Sequence, residues 1–200
     1  MSRTMPLARW LLSVSVLSGM LFACAGRIHA PIIAAYLAVF AGTGLATVLV
    51  TEVSQDSERR KPDPAESHPG SRVAASILFL TTVLIAALDV GRFHWIQPLS
   101  EPTQITGLAV LIPAVALQVW AMAVNSFFST AIRIQTERGH KLVTRGPYRF
   151  IRHPGYLAMI VFVPATALAL GSLVALLPAF CYSAVILWRV QREDRFLTGN

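Results

Sequence analysis

Long apolar runs alternate with short polar breaks along this chain. The runs cover residues 7–25, 30–51, 73–90, 105–128, 155–170 and 173–188. About 20 apolar residues in a helix cross a hydrocarbon layer about 30 Å thick, so the first four reach across, and the last two are shorter. Gly171 and Ser172 leave room only for a tight turn between the last two, which predicts a helical hairpin. The pattern therefore predicts an all-α, polytopic integral-membrane helical bundle of about six transmembrane helices ending in that hairpin. It divides into an N-terminal transmembrane region over residues 1–104 and a C-terminal membrane core over residues 105–200.

The breaks refine this picture. Residues 52–72 hold Pro62, Pro64, Pro69 and half of the ten acidic residues, which predicts a polar loop too short to bury a core of its own. Asp89 and Arg92 close the third run one turn apart and are expected to pair, with Phe93, His94 and Trp95 forming an interfacial belt. The fourth run passes Pro113, an expected kink. Gln118 and Asn125 are two turns apart on one face of it, and Ser129 extends that face. Amides in hydrocarbon must find partners, and interhelical hydrogen bonds or a ligand would serve equally. Gly42 and Gly44 lack the third glycine and the preceding strand of a dinucleotide fingerprint, so they predict close helix packing.

Composition agrees with a membrane setting. Hydrophobic residues make up 54% and charged residues 14%, against about a quarter charged in ordinary soluble domains. The net charge of +7 does not point to nucleic acid, because the positives sit between apolar runs and not along an aromatic-laced stripe. With six spans, only Arg27 and Arg92 of the 17 Lys and Arg fall on one side. The positive-inside rule then places both termini in the cytoplasm, as expected for a multi-pass protein of a bacterial inner membrane. Arg3, Arg9 and the sequence ending at Cys24 also have the look of a lipoprotein signal, but a second span follows and Phe22 is bulky for a cleavage region. Cys24 and Cys181 lie in apolar runs and read as small packing residues, with no metal site indicated.

Residues 133–156 are where charge, rings, glycine and proline crowd together. Pro147 follows Gly146 and Pro154 follows His153, and proline at a first helical position loses no hydrogen bond. Arg152 and His153 therefore fall at a helix mouth, where exposed N–H groups and nearby Arg149 would attract a carboxylate or phosphate. Arg189, Glu193 and Asp194 of the last segment reach the same membrane face, and Arg189 and Glu193 could pair one turn apart. A basic mouth meeting an acidic pair suits a zwitterion carrying a carboxylate at one end and an ammonium or sulfonium charge at the other.

Taken in order, Gln135, His140 to Thr144, Gly146-Pro147-Tyr148, Arg152-His153-Pro154-Gly155-Tyr156 and Arg189 followed by Glu193-Asp194 resemble the signature of the isoprenylcysteine carboxyl methyltransferase family. Its wider superfamily includes membrane phospholipid and small-thiol methyltransferases. The resemblance runs from Asn125 onward and implies an integral-membrane enzyme that takes S-adenosylmethionine from the cytosol and a lipophilic or prenylated acceptor sideways from the bilayer lipids. It implies cofactor contacts from Gln135, His140, Leu142, Val143, Gly146, Tyr148, His153, Tyr156, Glu193 and Asp194. Arg152 and Arg189 are the candidates for catalytic steering of an anionic acceptor, and no catalytic base is assigned. Three departures stand out. Asp194 replaces a second Glu, Gly171-Ser172 replaces Asn-Pro at the hairpin, and the chain stops at Asn200 before an expected tyrosine-containing tail. The runner-up reading is a non-catalytic membrane partner or small-ligand binder of the same fold.

Overall fold

The computed structural model describes residues 4–25, 30–53, 69–128 and 143–198. Six α-helices run in sequence: α1 (Thr4–Ala25), α2 (Ala30–Val53), α3 (Pro69–Leu88), α4 (Glu101–Val124), α5 (Pro154–Ala169) and α6 (Leu176–Thr198). There is no strand among the described residues. Helices α1 to α4 are long and apolar enough to cross a membrane, and α5 is a shorter apolar helix. This is an all-α membrane bundle.

The helices are apolar nearly all round, which suits a helix with protein on one side and hydrocarbon on the other. Tyr36, Leu21, Ile33, Val83, Leu111, Val163 and Ile186 are fully buried at the centre. Leu12, Val16, Ile77, Ile112, Leu177 and Phe180 remain exposed on the outer faces, as lipid-facing positions would be. Helix α4 packs most extensively on α5, α3 on α6 and α2 on α4, so the N-terminal helices are built into the same bundle as the C-terminal ones. Close approach of α4 and α5 depends on Gly107, where an added Cβ would strike the backbone of Leu168 and Ala169. Gly44 plays a similar part for α1 and α2. The Trp10 ring occupies the space a Cβ would need, and Trp10 Nε1 donates to the Ala41 carbonyl at 3.0 Å.

Three expectations are corrected. Helix α6 begins at Leu176 and does not end at Trp188, and it continues through the charged segment, carrying Arg189, Glu193 and Asp194 on an unbroken helix. Helix α3 starts at Pro69, which puts Ser71 and Arg72 on a helix where a loop was predicted. The pairing of Asp89 with Arg92 does not form. The helix after Leu88 loosens into a π turn over Asp89–Phe93, ended by His94 at φ 50°, whose N–H donates to the Asp89 carbonyl at 2.7 Å. That turn aims the Asp89 carboxylate inward, where it is 1% exposed and accepts Ser172 Oγ at 2.6 Å and Ile96 N at 3.2 Å. A buried carboxylate needs hydrogen-bond donors more than a distant exposed cation. Ser172 is held there by the tight turn predicted at Gly171, which has φ +84°.

This Asp89–Ser172 clamp lies where α3 and α5 end. The starts of α3 and α5 and the ends of α2, α4 and α6 gather at the opposite end of the bundle, the site end.

Candidate functional site

At the site end a short 3-10 turn over Gly146–Arg149 precedes α5. Gly146 takes φ +60° and rests against Val124 and Trp120 of α4, a conformation and a fit that exclude a side chain. Asn125, just past the end of α4, accepts Phe127 N at 2.9 Å and donates from Nδ2 to the Tyr148 hydroxyl at 3.2 Å. The loop is thereby tied to α4 by the amide that the sequence marked as polar. Gln118, on the same face, behaves differently. Its Oε1 is buried without a hydrogen-bond partner, and its Nε2 has only the Met122 sulfur at 3.9 Å.

Pro154 opens α5, as predicted from its position after His153. His153 is the residue before the helix, and its ring does not cap the helix. It turns instead to α6, where Nε2 lies 2.9 Å from Asp194 Oδ1. Arg152 reaches the same oxygen only loosely, at 3.8 Å, with its side chain 79% exposed. Tyr156, in the first turn of α5, tilts its ring 5.7 Å from that of His153 and lines the same cavity as Glu193 and Arg189. Arg189 is 4% exposed, and its Nη1 donates to Ser71 Oγ of α3 at 2.7 Å.

These groups border one cavity of about 1160 Å³. That is somewhat larger than typical small-molecule sites, which run from about 300 to 1,000 Å³. Its mouth carries Arg152, His153, Glu193 and Asp194, with Val143 and Tyr148 on the loop side. Its inner wall is aromatic. Phe40 of α2 stacks on Phe79 of α3 at 6.2 Å, and Phe79 meets Phe162 of α5 at 6.1 Å. Beyond those rings the bundle is packed solid around Tyr36, Val83 and Leu111. One cavity thus has a charged end and an apolar end.

Of the residues singled out in the sequence, Arg152, His153, Tyr156, Arg189, Glu193, Asp194, Val143 and Tyr148 line this cavity, and Gly146 shapes the loop beside it. Gln135, His140 and Leu142 lie outside the described residues. Sequence reasoning missed the contributions of α1 to α3, namely Trp10, Phe40, Ser71, Arg72 and Phe79. The sequence pattern did not single them out, because hydropathy does not tell which side of a span faces inward.

Residues 106–199 match the isoprenylcysteine carboxyl methyltransferase (ICMT) family. The chain is also 28% identical over 134 residues to a probable protein-S-isoprenylcysteine O-methyltransferase of Oryza sativa subsp. indica, covering 62% of this chain and 68% of the relative. Over its C-terminal half the chain is similar to this family. Another relative is protein-S-isoprenylcysteine O-methyltransferase B of Arabidopsis thaliana, 29% identical over 135 residues, covering 63% of this chain and 66% of the relative. The cobalt-zinc-cadmium resistance protein CzcN of Cupriavidus metallidurans is similar to the same degree, 29% over 150 residues, with 66% of this chain and 63% of the relative covered. No solved structure matches the chain.

Proposed function

We propose that this protein is an S-adenosylmethionine-dependent methyltransferase of the cytoplasmic membrane, acting on a lipophilic acceptor of the isoprenylcysteine type at the carboxylate. The observation that carries the reading is a cavity with Glu193, Asp194 and His153 at a charged mouth and aromatic rings from three helices at its inner end. The donor set fits the cofactor. Two carboxylates suit its ammonium and sulfonium charges, and the start of α5 with its arginines suits its carboxylate. When bound, S-adenosylmethionine supplies an electrophilic methyl group on sulfur. The protein's task is alignment and exclusion of water, since in-line displacement by a carboxylate needs no strong base. His153 and Asp194 order the mouth, Tyr156 lines it beside His153, and Arg189 holds an anionic acceptor in line. The apolar wall accepts the tail.

The test is calorimetric binding of S-adenosylmethionine to the protein purified in detergent. Removing one partner of a desolvated charged contact costs about 2 to 5 kcal/mol, so His153→Ala and Glu193→Gln should each weaken binding at least about 30-fold. Arg195→Ala, on an exposed residue of α6 that does not border the cavity, should change it less than about fivefold. Small effects of all three on folded protein would favour a non-catalytic binder of the same fold.

A further inference from the structure

Ser71 and Arg72 open α3, far from residues 106–199 that carry the family likeness. Both nevertheless reach the site. The Arg189 guanidinium is almost wholly withdrawn from solvent, and such a charge is tolerated only when its N–H groups are bonded and its field is balanced. Ser71 Oγ accepts one of those N–H groups at 2.7 Å from the α3 side. One arm of the Arg189 fork is therefore held from α3. Arg72, the next residue of α3, is half-buried and borders the cavity. Among the described residues that line the cavity are the guanidinium groups of Arg72, Arg149, Arg152 and Arg189 and the carboxylates of Glu193 and Asp194, the latter engaged by His153.

We infer that α3 completes the acceptor end of the cavity. Ser71 is a positioning residue that orients Arg189, and Arg72 is a second guanidinium that binds with it the anionic head of an apolar acceptor, a carboxylate. The inference rests on the reading that this cavity receives the acceptor. It gives the N-terminal helices a part in recognition that the family match over residues 106–199 does not assign.

The experiment uses the full chain in lipid nanodiscs and two probes, N-acetyl-S-decylcysteine and its methyl ester, which differ only in the anionic charge at the head. Calorimetry on the wild type should favour the carboxylate at least about tenfold, as expected for a charge-assisted contact. Ser71→Ala and Arg72→Ala should each reduce that preference about fivefold or more. Ser71→Thr, which keeps the hydroxyl, should restore it to within about twofold. Ser71→Asp should keep the melting midpoint, since aspartate suits a helix start, yet abolish the preference by neutralising Arg189. If Ser71→Ala fails to fold, the threonine and aspartate variants and Arg72→Ala decide.

A wild type without preference, a preference unaltered in the alanine variants, or a threonine variant that fails to restore it would each overturn the inference. Methyl transfer measured alongside separates the two readings. Transfer with an unaltered preference sinks the role of α3 and leaves the methyltransferase. A Ser71-dependent preference without cofactor binding does the reverse.

Discussion

His153 Nε2 and Asp194 Oδ1 stand 2.9 Å apart although 41 residues separate them in the chain. Aspartate occupies a place where the family resemblance leads one to expect glutamate, and its shorter side chain still reaches the ring. The contact joins the start of α5 to the last turns of α6, so the mouth of the cavity is closed on that side by one hydrogen-bonded pair.

Asp194 is about a third exposed, so the pair should add little to stability, on the order of 1 kcal/mol or less. Asp194→Asn should leave the melting midpoint in detergent almost unchanged while lowering cofactor affinity at least about tenfold. Asp194→Glu should stay within about threefold of the wild type. Calorimetry and melting on the same samples read both effects, and unchanged affinity in the asparagine variant would detach Asp194 from the ligand.

At the far end of the bundle Asp89 holds Ser172 and the N–H of Ile96, and Arg92 takes no part in this. Asp89→Ala leaves two donors without their acceptor and should destabilise the fold by at least about 2 kcal/mol. Arg92→Ala, at an exposed position, should cost less than about 0.5 kcal/mol. Denaturant titration in mixed micelles compares them. Cofactor affinity of the folded fraction should survive both changes, and equal losses of stability would restore the ion pair that the sequence suggested.

Gly107 lies against the α5 backbone, which cannot step aside as a side-chain tip would. Gly107→Ala should therefore separate α4 from α5 and cost about 1–3 kcal/mol. Gly42 faces open space, so Gly42→Ala should be neutral or gain up to about 1 kcal/mol from helix propensity. Thermal melts of the pair test whether glycine is kept at these positions for packing or is incidental.

Sidedness follows from the charge distribution and can be checked directly. With Cys24 and Cys181 replaced by alanine, a single cysteine at exposed His94 should react with an impermeant reagent added outside intact cells. One at exposed Arg149 should react only after permeabilisation. Outside labelling at position 149 would reverse the orientation and remove the cytosolic route to the cavity.

The apolar runs, the prolines at helix starts and the tight turn at Gly171 were legible in the sequence because each depends on local physics. Hydrocarbon demands long helices, and proline and glycine act on their own backbone. The motif from Arg152 to Tyr156 and the acidic pair were likewise readable as a constellation. What only the tertiary structure decided was azimuth and partner. Gln118 and Asn125 share a face and a chemistry, yet Asn125 ties down the loop while the Gln118 oxygen is buried unpaired. Asp89 chose Ser172, 83 residues away, over Arg92 one turn on, because the π turn aimed it into the bundle. Arg189 found Ser71 on a helix that the sequence left as a loop, and Phe40 and Phe79 became cavity wall. Spans of nearly uniform hydropathy carry almost no signal for which side faces protein and which faces lipid. That choice is made by how the helices cross and where small residues such as Gly107 allow them to touch.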